Sequence, residues 1–228
     1  MESGVTVGAF VQLGAAEKRA ALRQRTCSAE VITTGAADED WRVRVAAVGN
    51  PSAPEDVIRA GAKDEVSDVR KAAVGNRGAP VEVIVAGMGD KKPWVRAAAV
   101  GNPSAPVDVI RAGAGEEVWW VRMVAVGNPS APVEVIAAAV GDGSPDVRRA
   151  AVGNPRAPVE VIGVGARDRS PYVRRAAASN PRISEEAAER LSRSKTPVIQ
   201  QLLAKNPAAP ERIRVVAAMR AGILFGAA

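Results

Sequence analysis

The sequence predicts an all-α protein, a helical repeat solenoid in which stacked units wind into a superhelix. One observation is a strict period: an asparagine recurs every 26 residues, without insertion or deletion. Another is that each unit contains two short helical stretches, and one unit alone is too small to bury its own apolar face. The chain of 228 residues is 47% hydrophobic but only 3% aromatic, so Ala, Val and Ile must build the core. The asparagine column is Asn50, Asn76, Asn102, Asn128, Asn154, Asn180 and Asn206.

The repeats account for almost the whole chain. A weaker unit precedes the first asparagine, with Gln24 in the asparagine place. We expect about eight units over residues 15–218, flanked by an N-terminal cap (1–14) and a C-terminal cap (219–228) in a single solenoid domain, 1–228.

The first stretch of each repeat, the first helix, has clear start and stop signals. In later repeats it begins at a proline after a hydroxyl residue, as in Ser144-Pro145, which is typical of an N-cap followed by the first helical position. It ends at Gly-Asn-Pro, where Gly or Asn can adopt a left-handed closing conformation and proline disfavours further helix.

The second stretch, the second helix, starts near another proline and continues in most repeats as Val-Asp/Glu-Val-Ile. Prolines spaced as closely as Pro103 and Pro106 favour tight turns or a 3₁₀ segment, so we expect α or 3₁₀ helix here. A glycine recurs in its middle, for example Gly61 and Gly87. Since an interior glycine costs roughly 1 kcal/mol against alanine, we expect close backbone approach between neighbouring repeats.

The repeat phrase resembles the leucine-rich repeat variant family, whose motif is Val-Arg-x-Ala-Val-Ala-x-Asn-Pro-x-x-Pro. Residues 121–132 match it closely. The resemblance implies α and 3₁₀ helices alternating in a right-handed superhelix. The repeat is longer than the family's usual one, and Val and Ile replace the leucines of the second helix. Cys27 is the only cysteine, so the cysteine cluster that binds an iron–sulfur centre in one such protein is absent, and we expect no cofactor.

An arginine column runs through the first helices, with an acid six residues before each arginine. We interpret these as structural ion pairs between an inter-repeat loop and the next helix, because arginine binds a carboxylate bidentately. The alternative is a groove for phosphates. In the next repeat both positions change together, to Ser194 and Gln200. The column comprises Arg44, Arg70, Arg96, Arg122, Arg148 and Arg174, and we interpret the asparagine column as a helix stop.

Most aromatic residues fall in two adjacent columns of the first helix, eight and nine residues before each asparagine. Polar residues share these positions, so the face is expected to meet solvent, with Trp94, Trp119, Trp120 and Met123 forming one exposed patch. Partner binding, self-association and simple covering of the core are all open interpretations. The remaining candidate residues on this face are Trp41, Asp68, Asp146 and Tyr172.

The leading hypothesis is a non-enzymatic scaffold that binds a protein, a peptide or an apolar small molecule through this tryptophan-rich face. The first alternative is nucleic-acid binding by late arginines, and homo-oligomerisation stays open. The second alternative is a repeat-scaffold enzyme that uses carboxylates; no metal site is expected without histidine. The arginines of the nucleic-acid alternative are Arg149, Arg156, Arg167, Arg169, Arg175 and Arg182.

We expect a cytoplasmic protein without membrane contact. The N-terminal residues 1–4 lack the basic region of a secretory signal, and no apolar run approaches the ~18 residues that span a bilayer.

Overall fold

A computed structural model describes residues 5–24 and 26–223, and within them the regular secondary structure is helical throughout. The chain divides into two compact units, Met1–Gly113 and Ala114–Ala228. The helices are α1 (Val7–Val11), α2 (Ala15–Leu22), α3 (Ala29–Ala36), α4 (Trp41–Val48), α5 (Glu55–Gly61), α6 (Ser67–Gly75), α7 (Val81–Gly87), α8 (Pro93–Gly101), α9 (Val107–Ala114), α10 (Trp119–Gly127), α11 (Val133–Ala138), α12 (Pro145–Gly153), α13 (Val159–Gly165), α14 (Pro171–Ser179), α15 (Glu185–Ser192), α16 (Pro197–Lys205) and α17 (Glu211–Arg220).

From α2 onward these helices form the predicted pairs, one pair per repeat, which confirms the helical repeat solenoid. Successive first helices pack on one another: α2 on α4, α4 on α6 and α6 on α8 in the N-terminal unit. The C-terminal unit repeats the arrangement with α10, α12, α14 and α16. The single domain and its two caps remain predictions. The helix α1 lies in the expected N-terminal cap, α17 ends inside the expected C-terminal one, and residues 1–4 and 224–228 fall outside the described part of the chain.

The predicted starts of the later first helices are confirmed in position but not in mechanism. Ser144 is the N-cap of α12 and Pro145 its first residue, yet the serine hydroxyl makes no capping hydrogen bond. Instead the backbone N–H of Ser144 donates to Oδ1 of Asp142 at 2.8 Å. The carboxylate two residues upstream therefore orders the loop that leads into the helix.

The expected left-handed helix ends are wrong. Asn154, which caps α12, has an extended backbone with φ −64° and ψ 132°. Among the described residues, positive φ is confined to Gly222. Proline follows the asparagine, and its ring favours the extended conformation at the preceding residue.

The second helices are α-helical, and in the described ranges a 3₁₀ segment occurs at Ala139–Gly141 alone. Of the two expected possibilities, the second helices adopt α-helix, and the 3₁₀ segment directly follows one of them, α11. The proline at the start, such as Pro80 before α7, is the N-cap rather than an interior residue. A proline there removes no intrahelical hydrogen bond, so the α-helix can continue for about two turns.

In six consecutive repeats, one isoleucine of the second helix forms the centre of the core. Each is fully buried and they recur at the repeat spacing: Ile32, Ile58, Ile84, Ile110, Ile136 and Ile162. The recurring glycines bring the two helices of one repeat together. A Cβ on Gly61 would lie 2.6 Å from Cγ1 of Val48 in the preceding helix. The close approach is therefore real, but the prediction placed it wrongly between neighbouring repeats.

Among the helices of the described residues, none has the length and apolar character that crossing a bilayer requires.

Candidate functional site

The asparagine column connects consecutive repeats. Nδ2 of Asn154 donates to the carbonyl oxygens of Val126, at 2.8 Å, and Asn128, at 3.1 Å, both in the preceding repeat. Its Oδ1 accepts the backbone N–H of Arg156 at 2.8 Å. The side chain is buried, with 2% of the residue exposed. Asn154 thus ends α12 and also satisfies two carbonyls of the preceding repeat.

The same three hydrogen bonds recur along the column. They are made by Asn50, Asn76, Asn102, Asn154, Asn180 and Asn206. An amide is required because it offers two donors and an acceptor at once. The sequence period located these residues, but their inter-repeat bonding was not foreseen.

The arginine column also connects repeats, through a different acid from the one expected. Nε and Nη2 of Arg148 donate to Oδ2 and Oδ1 of Asp168, at 2.7 and 3.0 Å. Asp168 follows the arginine by 20 residues and lies in the next inter-repeat loop. The pairing with the acid six residues before is therefore wrong: Asp142 gives Arg148 its backbone carbonyl, which accepts from Nη1 at 2.9 Å. These bidentate pairs are Arg44–Asp64, Arg70–Asp90, Arg122–Asp142 and Arg148–Asp168.

Each aspartate of these pairs is held in its charged form. The hydrogen bond from Arg148 keeps the pKa of Asp168 below its ordinary value, and this outweighs burial, which acts in the opposite direction. The N–H of Ser170 adds a further hydrogen bond to Oδ1, at 2.7 Å. The arginine groove is thus occupied by the protein's own carboxylates in these pairs, which removes those guanidinium groups as phosphate ligands.

The pairing stops at Ser194. Nη1 of Arg174 donates to the carbonyls of Asp168 and Arg169, at 2.7 and 2.9 Å, as the other arginines do in their own loops. The residue 20 positions later is Ser194 rather than an acid, and within residues 5–24 and 26–223 no ion pair of Arg174 occurs. Gln200 keeps the local loop contacts by donating to the carbonyls of Ser192 and Ser194. Ser194 therefore takes the place of the carboxylate that would pair with Arg174, whereas Gln200 takes the place of an arginine; the two changes do not remove one shared ion pair.

The face that carries the aromatic column is open in both units. In the N-terminal unit a cleft of about 410 Å³ lies between first helices and is lined by Trp41, Asp68 and Lys71, with the small residues Gly49 and Ala72 at its floor. Arg42 stacks on Trp41, with its Cζ 4.7 Å from the ring centroid.

The C-terminal unit has the corresponding cleft at the same repeat positions. It measures about 470 Å³ and is lined by Tyr172, Arg149 and Arg175, with Gly153 and Ala176 at its floor. Tyr172 is 61% exposed. Asp146 lies beside this cleft, where its Oδ1 is 3.4 Å from Nη2 of Arg149.

The four residues of the predicted patch are divided between the two units. Trp94 stands in α8 of the N-terminal unit, 37% exposed, under the ammonium group of Lys92. Trp119, 44% exposed, begins α10 of the C-terminal unit, in which Trp120 and Met123 are half-buried. Within each unit these side chains stand on first helices, as the sequence predicts.

The late arginines occupy several places. Arg149 and Arg175 line the C-terminal cleft, whereas Arg156 and Arg182 follow the asparagine-proline turns and are exposed. The side chain of Arg167 pairs with Glu186 on the second-helix face. Arg169 is exposed and lies in the loop just before α14.

Catalytic groups are sparse on this face. Asp68 is exposed in the N-terminal cleft, and Asp146 contacts an arginine. In the described part of the chain, no cluster of His, Cys, Asp and Glu is suited to hold a metal ion.

Paired helices stacked at a fixed spacing define this chain as a helical repeat solenoid. More particularly, it is similar in structure to a leucine-rich repeat variant with a novel repetitive motif. That likeness has a TM-score of 0.59 with 21% sequence identity, and it covers 96% of this chain and 87% of the other. It establishes the fold that the repeat phrase predicts.

Weaker likenesses involve two artificial proteins. A designed armadillo repeat protein aligns over 96% of this chain and 98% of its own at 17% identity, with a TM-score of 0.22. An engineered protein aligns over 94% and 92% at 16% identity, with a TM-score of 0.21. No known protein family and no curated protein matches the sequence.

Proposed function

We propose that the protein is a non-enzymatic recognition scaffold that binds a protein or peptide partner through the first-helix face. The observation that carries the proposal is that each unit opens a cleft on this same face, at the same repeat positions, beside an aromatic residue. An apolar small molecule is an alternative ligand for the same clefts.

The side chains support binding of an extended partner. Trp41 and Tyr172 offer large flat surfaces, and Trp and Tyr are enriched among the residues that contribute most of the binding energy in protein interfaces. The floor of Gly and Ala lets a partner's backbone approach closely. By contrast, the buried ion pairs and asparagines are engaged within the protein and are not available to a partner.

The test is peptide selection against the purified protein. Peptides selected on the wild type from a random library are measured by fluorescence anisotropy against Trp41→Ala, Tyr172→Ala and a control, Val159→Ala. Val159 is exposed, as Tyr172 is, but it begins the second helix α13 and lies outside both clefts.

We expect selected peptides to lose roughly tenfold or more in affinity on one of the aromatic variants and about twofold or less on the control. Peptides whose affinity is the same on all three variants would refute the proposal. Loss of a wild-type dimer in the aromatic variants, measured by analytical ultracentrifugation, would assign the face to self-association instead.

A further inference from the structure

The C-terminal cleft differs from its N-terminal counterpart in charge. Its charged lining residues are Arg149 and Arg175, with no acid among them. The N-terminal cleft balances Lys71 with Asp68. The two clefts occupy equivalent repeat positions, so this difference is specific to the sequence of α12 and α14 and is not a property of the fold.

Arg175 has a hydrogen-bond donor that the protein does not satisfy. Its Nε is buried, and among the described residues nothing accepts a hydrogen bond from it. The guanidinium carbon lies 5.5 Å from the ring centroid of Tyr172. Arg149, by comparison, contacts Asp146. A buried donor without an acceptor is costly, and native structures contain few of them.

The geometry of this residue matches one ligand group. An arginine that lies against an aromatic ring keeps the N–H groups at the edge of its plane free, and its two Nη groups can donate to the two oxygens of a carboxylate. Small residues, Gly153 and Ala176, line the cleft beside this arginine.

We infer that the Tyr172–Arg175 cleft is a subsite for an acidic side chain, Asp or Glu, of a bound peptide. This inference rests on the proposed function and names the chemistry that one part of the face selects. The carboxylate accepts from the two Nη groups of Arg175, which the cleft leaves accessible, and Tyr172 lies against the guanidinium group. Arg149 adds positive charge at the rim.

A peptide fits the distribution of charge better than a nucleic acid does. Arg167 is paired with Glu186 on another face, and Asp146 lies next to Arg149. The late arginines therefore form no continuous cationic track within the C-terminal unit, whereas a nucleic-acid backbone requires several phosphate contacts in succession. Two arginines in one cleft suit one or two carboxylates.

The experiment follows the side-chain Nε–H signals of arginine by ¹⁵N NMR in the full chain. The probe is N-acetyl-Glu-Glu-amide, with N-acetyl-Gln-Gln-amide as the uncharged match. The variants are Arg175→Gln and Arg169→Gln, which remove the same charge; Arg169 is exposed and lies outside the cleft. Far-UV circular dichroism verifies that both variants are folded.

We expect the Arg175 Nε–H signal to move saturably with the Glu peptide and not with the Gln peptide. The dissociation constant should rise roughly tenfold or more in Arg175→Gln and about twofold or less in Arg169→Gln. An unmoved Arg175 signal, or equal losses in the two variants, would overturn the subsite.

Two further arms separate other anions. The subsite would also be overturned if inorganic phosphate bound more tightly than the Glu peptide. It would equally be overturned if the protein bound oligothymidylate and Arg182→Gln weakened that binding as much as Arg175→Gln. If peptides from the library selection depend on Tyr172 but need no acidic residue, the subsite fails while the proposed function stands.

Discussion

Replacing Asn154 by alanine is the sharpest test of how neighbouring repeats are held together. The substitution removes three hydrogen bonds, two to carbonyls of the preceding repeat and one from the N–H of Arg156, at 2.8 to 3.1 Å. A buried hydrogen bond contributes about 0.5–1.5 kcal/mol net, so three give a loss of about 3 kcal/mol. Because Asn154 is 2% exposed, water cannot readily replace these bonds.

The assay is urea unfolding followed by far-UV circular dichroism, with Gln24→Ala as the matched control. Gln24 occupies the same column in the first repeat but is exposed. We expect the control to change the free energy of unfolding by about 0.5 kcal/mol or less, as surface substitutions usually do. A loss in Asn154→Ala no larger than in the control would refute the assigned role of the asparagine column.

Three more predictions concern the same contacts. Ser194→Asp should raise stability by about 1 kcal/mol, measured by the urea midpoint, since it gives Arg174 the carboxylate that the other arginines have; no gain in the folded variant would contradict this. Gly87→Ala should cost about 1–3 kcal/mol, because its Cβ would lie 2.6 Å from a valine methyl group, whereas Gly163→Ala, with open space around it, should be neutral or stabilising; equal effects would exclude the steric reason. The paired aspartates have pKa values below the ordinary one, so the stability that they contribute is fully present above the pKa of unfolded aspartate, near 4, and is lost as pH falls through the lower pKa of the folded state. In Asp168→Asn, the melting temperature should therefore decrease less at acid pH than in the wild type, as measured over a series of pH values; an unchanged decrease would contradict this.

The fold could be predicted from the sequence because the same pattern of residues recurs from repeat to repeat. Periodic asparagines, prolines and buried isoleucines fix where helices begin, end and pack, and any one ambiguous repeat is resolved by the others. What failed were features set by three-dimensional stacking. An acid recurs six positions before the arginines, yet stacking brings the acid 20 positions after Arg148, Asp168, within 2.7 Å of it.

The candidate site was predicted only as a face. The column of aromatic residues located the surface on which the clefts lie, since positions that alternate between polar and aromatic residues cannot all be buried. The unsatisfied Nε of Arg175 was beyond sequence reasoning, because burial of one atom depends on the packing of α14. An indication was nevertheless present, since arginine at this position follows an aromatic residue by three, which places the two side chains on one helix face.

The spacing of the inter-repeat bonds has an evolutionary consequence. Each asparagine reaches back 26 and 28 residues and each paired arginine reaches forward 20, always to the adjoining copy. Loss or gain of one amino acid would shift both sets of partners together, whereas loss or gain of a complete copy would leave every surviving partner at its proper distance. A change in length by whole repeats therefore preserves the contacts between repeats, whereas a single-residue insertion within a repeat disrupts them.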